Sequence, residues 1–126
     1  MAAWALAGIH GALAGFLAAY LVLLAPVSCH AGTGPGPDLL RLFVHTPAIL
    51  IAAVATALGT FALAVRITLS APLAVRLTVP PLLLCTALAL LVWADFAWFG
   101  AVAGVPNPGL CPADNVPPWW PHWIPA

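Results

Sequence analysis

LLVWADFAWFG, residues 90–100, decides how this chain folds. It lies inside an apolar run from Pro80 to Gly104 and carries one carboxylate, Asp95, with Trp93 and Trp98 close on either side. A run of about 20 apolar residues is long enough to cross a bilayer as a helix. The carboxylate is then expensive, because an ionisable side chain at the centre of a spanning helix costs roughly 2.5–3.5 kcal/mol even on insertion scales. Asp95 is therefore expected to face protein or water, with the two tryptophans shielding it or donating to it.

The rest of the chain agrees with a lipid solvent. Hydrophobic residues make up 64% and charged residues 5% of the sequence. Soluble domains carry about 25% charged residues, so this chain has too few to cover a surface in water. Formal net charge is +0, and a basic face for nucleic acid is missing. Glycine-rich phosphate loops, CxxC pairs, HExxH and GxSxG are absent from the sequence.

Two further runs match the first. Trp4 to Ala25 is apolar apart from His10 and Tyr20, and Phe43 to Val65 is the next. The expected fold is an all-α integral membrane protein, a single membrane domain over residues 1–126. Its helices are expected near 4–25, 43–65 and 80–104. The tail, 105–126, is too rich in proline for a helix and is expected to lie extended outside the membrane, with Trp119, Trp120 and Trp123 in the interfacial belt. CHAGTGPGPD, 29–38, reads as a loop, and RITLSAPLAVR, 66–76, reads as a polar connection at the interface. LAPVSC, 24–29, resembles a lipoprotein cleavage site only loosely. The segment before it has no Lys or Arg, and Pro26 replaces an aliphatic residue, so the first run is read as a true helix.

Arg66 and Arg76 flank the second connection, which the positive-inside rule puts in the cytoplasm. The N-terminus is then cytoplasmic, and the Cys29 loop and the tail lie outside a bacterial inner membrane. Arg41 opposes this scheme, and Asp38 is close enough in sequence to balance it.

Helices associate in lipid through small residues that let backbones approach. Gly11, Gly15 and Ala19 form such a stripe on the first span. On the second, Ala52, Thr56 and Thr60 form one stripe and Ala55 and Gly59 the next. With about 1.5 Å of rise per residue, Asp95, Tyr20 and His45 fall in the outer half of the membrane. His45 and Tyr20 are the candidate partners of Asp95. His10 falls in the inner half with Thr60, Cys85 and Thr86. The separation of His10 and His45 argues against one haem held by both, and no cofactor is expected.

Cys29, His30, Cys111 and His122 share the outer side. Two thiols in an oxidising compartment usually form a disulfide, here tying the first loop to the tail. A zinc or copper site is the rival, and its spacing is irregular. Cys85 reads as a small apolar filler. With so little polar mass and no catalytic signature, the chain is expected to be an accessory or structural subunit packing against larger membrane proteins or against itself. The alternatives are a proton or ion conduit built on Asp95, and an enzyme subunit with a site around Asp95 and His45.

Overall fold

The computed structural model describes residues 1–29, 35–99 and 111. The described residues are helical apart from the chain start, one tight turn and Cys111. Helix α1 is Ala2–Cys29, α2 is Pro35–Leu40, α3 is Thr46–Thr68 and α4 is Leu73–Phe99. A π-helical turn, Arg41–His45, joins α2 to α3 without a break. Three stretches are long and apolar enough to cross a membrane: Ala2–Leu24, Asp38–Thr68 and Leu73–Phe99. This is a multi-pass, all-helical membrane architecture. Residues 100–110 and 112–126 lie outside the described residues, and with them the end expected for the third span, most of the tail, and His122; so does His30.

Each long helix touches the other two, and the reason lies in side-chain size. Gly11 and Gly15 bring α1 against α3 at backbone range. A Cβ added at Gly11 would sit 2.8 Å from Val54 Cα and 2.9 Å from the Ala53 carbonyl oxygen. One added at Gly15 would sit 2.9 Å from Leu50 Cα. Ala18 and Ala19 continue this face onto Ile49. Larger residues of α4 fill the remaining groove, with Leu84 and Leu88 packed on Ala7 and Ala57. Small residues on two helices thus receive branched ones from the third, which is how close packing arises without a hydrophobic drive.

Several expected boundaries shift. The face that α3 turns inward is Ile49, Ala53, Ala57 and Ala64, not the Ala52–Thr56–Thr60 stripe. Ala52, Ala55 and Gly59 are exposed, and a Cβ at Gly59 would meet nothing within 4 Å. The second connection is only the turn 69–72, and α4 begins seven residues before Pro80. Pro80 and Pro81 each remove one backbone donor but leave the helix running. The stretch before them is apolar except for Arg76 and Thr78. Thr78 Oγ1 donates to the Ala74 carbonyl at 2.9 Å, and Arg76 is exposed, so its head can reach the interface.

The two ends of the bundle are distinct. Trp4 meets Phe61 edge to face at 5.1 Å, so the start of α1 lies beside the end of α3 and the start of α4. Cys29, α2 and the end of α4 lie at the opposite end.

Candidate functional site

The site is built where α3 begins. Pro47 has no N–H, and its ring crowds the carbonyl four residues back, at Phe43. The chain resolves this with the π turn. The Thr46 N–H and the Thr46 Oγ1 both donate to the Arg41 carbonyl, the hydroxyl at 3.0 Å. Side-chain hydroxyls and local π adjustments are the usual way a spanning helix accommodates proline. His45, the last residue of that turn, leads the inward stripe of Ile49, Ala53 and Ala57 at intervals of four.

On α4 the inward stripe runs Leu84, Leu88 and Asp95, with Leu91 packed on the core between them. These steps of four, three and four residues keep one helix face, so Asp95 points into the bundle. The two stripes meet. His45 Nε2 and Asp95 Oδ1 share a hydrogen bond of 2.9 Å. The side chains are 13% and 6% exposed, so this polar contact is almost wholly removed from solvent. Phe99 packs its ring on His45, with centroids 4.8 Å apart. Asp95 Oδ2 and His45 Nδ1 are also buried and have no hydrogen-bond partner among the described residues. Buried polar atoms nearly always have one, so the pair has spare bonding capacity at both ends.

A cavity of about 660 Å³ opens beside the pair. Its walls are mainly Val22, Val44, Ala48, Ile49, Trp98 and Phe99, with Arg41, His45 and Asp95 as the polar groups. Arg41 lies 3.6 Å from Asp38, so positive charge at this end is largely balanced.

Of the other residues singled out from the sequence, Trp98 lines this cavity and the rest fall elsewhere. Tyr20 is 51% exposed and does not reach Asp95. It lies next to Ala19, and one residue is about 100° around a helix, so a matching depth put it on the wrong face. His10 is exposed, makes a 2.8 Å hydrogen bond through Nδ1 to the Leu6 carbonyl, and lines a separate cavity with Arg76 and Cys85 at the opposite end. Trp93 and Trp98 are exposed, and neither is bonded to Asp95. Cys29 and Cys111 have their sulfurs 2.07 Å apart and Cα atoms 5.4 Å apart, the spacing of a disulfide. Gly11, Gly15 and Ala19 are used within the chain, against α3. Among the described residues no group of three His, Cys, Asp or Glu side chains could hold a metal ion.

The cavity and the π turn were missed from the sequence. The signal for the turn was there in His45-Thr46-Pro47, where a hydroxyl precedes a proline within a spanning run. Comparison with protein-family models, curated proteins and solved structures returns no match, so function must be argued from the site itself.

Proposed function

We propose that this chain is a small accessory subunit of a larger bacterial inner-membrane assembly, in which the His45–Asp95 pair clamps the extracytoplasmic ends of α3 and α4. The observation that carries this is how little of each span the chain buries by itself. At most 33% of any spanning window is covered internally. The exposed Ala52, Ala55 and Gly59 on α3 leave a small-residue stripe that its own helices do not use. Such a stripe suits the backbone of another helix. A buried polar pair between helices then fixes which way the bundle presents that stripe.

The orientation is part of the proposal. Arg66 and Arg76 are exposed at one end, and the cation at the other end is paired with Asp38. That asymmetry supports a cytoplasmic N-terminus and an extracytoplasmic Cys29 end.

Gentle extraction of tagged protein followed by mass spectrometry tests the subunit role. Defined larger chains should copurify with the native protein and be lost from Gly59→Leu, while the variant itself still accumulates and forms its disulfide. A chain that purifies alone as a symmetric oligomer and passes protons into liposomes would instead establish the conduit alternative.

A further inference from the structure

We propose that the groove between α1 and α4, at the Trp4 end of the bundle, binds an anionic phospholipid, with the head-group phosphate on Arg76 and an acyl chain along the groove. This goes beyond the subunit role and rests neither on it nor on the orientation.

The groove is a cavity of about 370 Å³. Ala3, Ala7 and His10 of α1 face Leu77, Pro81 and Cys85 of α4 across it. Steps of three and four residues keep each set on one face of its helix. Ala7 packs on Leu84 at the floor, so the groove is a seam between touching helices. Such a seam suits an acyl chain better than a helix about 10 Å across. From Arg76 to Cys85 the helix rises about 14 Å, close to half of a hydrocarbon core about 30 Å thick. The groove is thus about one leaflet deep. A second apolar cavity of about 410 Å³, with Ala14, Leu17, Leu88 and Val92 in its walls, continues the same two faces. A long chain is therefore not stopped at Cys85.

Charge selects the head group. Arg76 is exposed at the shallow end of the groove, and no acid lines it. Arg66, also exposed, follows Val65 of the same lining. Asp38 and Asp95, the acids among the described residues, lie at the opposite end, and Arg76 has no ion-pair partner among those residues. His10 lies deeper, with its Nδ1 held by the Leu6 carbonyl at 2.8 Å, which leaves Arg76 to meet the phosphate. A guanidinium beside an apolar groove at the membrane surface complements a phosphate that carries a hydrocarbon chain. Free phosphate lacks the chain, and a zwitterionic head group offsets the phosphate with its own cation.

The test uses purified full chain in phosphatidylcholine nanodiscs containing phosphatidylglycerol with a diazirine on one acyl chain. Cross-links should map to the start of α1 and to the Leu77–Cys85 stretch of α4. A phosphatidylcholine probe with the same diazirine chain should label these peptides about fivefold less, and inorganic phosphate should not reduce labelling. Arg76→Gln should lower phosphatidylglycerol labelling about fivefold, and Arg76→Lys, which keeps the charge, should retain most of it. Ala3→Trp places an indole in the groove from an exposed position and should abolish labelling while the Cys29–Cys111 bond still forms. Equal labelling by the two probes, displacement by inorganic phosphate, cross-links spread over the lipid-facing surface, or undiminished labelling of Arg76→Gln or Ala3→Trp would overturn the proposal. Oxidative pairing of Cys85 between two copies would overturn it as well, by making the groove an interface between chains.

Discussion

At Asp95 the substitutions Asn and Leu separate packing from proton chemistry. Asparagine keeps the size of the side chain and an acceptor for His45 Nε2, so Asp95→Asn should leave the α3–α4 contact close to native. Leucine leaves His45, which has no partner at Nδ1 among the described residues, with none there at Nε2 either. A buried polar group stripped of its partner costs about 1–3 kcal/mol, and Asp95→Leu should lower detergent-solubilised stability by that order. Thermal melting of both variants checks this, and native-like stability of the Leu variant would remove the clamp. Proton flux in liposomes supplies the second axis, since asparagine cannot exchange a proton and a conduit would stop in both variants. The cost of a carboxylate in lipid made Asp95 legible from sequence, and depth alone suggested two partners. Depth carries no angle, however. Only the spacing from His45 to Ile49, Ala53 and Ala57 separates His45 from Tyr20, which sits about 100° off the face of Ala19.

Among the helices, glycine has opposite meanings at two positions. Gly11 stands against the backbone of α3, with its absent Cβ 2.8 Å from Val54 Cα, and backbone cannot swing away. Gly11→Ala should force α1 from α3 and cost about 1–3 kcal/mol, the usual penalty for overpacking. Gly59→Ala meets open space and should leave the stability of the isolated chain unchanged or slightly raised. Parallel denaturation in mixed micelles reads the difference, and equal effects at the two sites would contradict this helix packing. The α1 stripe could be read from sequence because Gly11 and Gly15 stand out among larger neighbours. Its counterpart on α3 could not, since Ala52, Ala53, Ala55 and Ala57 put small residues on every face. Prolines misled in a similar way. Pro80 and Pro81 read as a boundary, yet α4 runs through them from Leu73 to Phe99.

Across the whole molecule, the disulfide and the orientation can be read with thiol chemistry. Cys29 and Cys111 are 82 residues apart in sequence and joined at one end of the bundle, so reduction should expose two thiols beyond Cys85 and slow migration in a denaturing gel. Alkylation that finds three thiols before reduction would exclude the bond. Orientation needs single-cysteine variants with the native cysteines replaced by serine. Ser70 lies in the exposed turn between α3 and α4, and Gly36 lies in α2 with open space around its Cα. The two mark opposite ends of the bundle. Arg66 and Arg76 bracket Ser70, and an exposed cation resists transfer across the membrane, whereas Arg41 near Gly36 is balanced by Asp38 at 3.6 Å. Gly36→Cys should therefore react with a membrane-impermeant maleimide in intact cells, and Ser70→Cys only in inverted vesicles. The reverse pattern would put His45, Asp95 and their cavity in the cytoplasmic half of the membrane. The Cys29–Cys111 bond would then face a reducing compartment in which it should not persist.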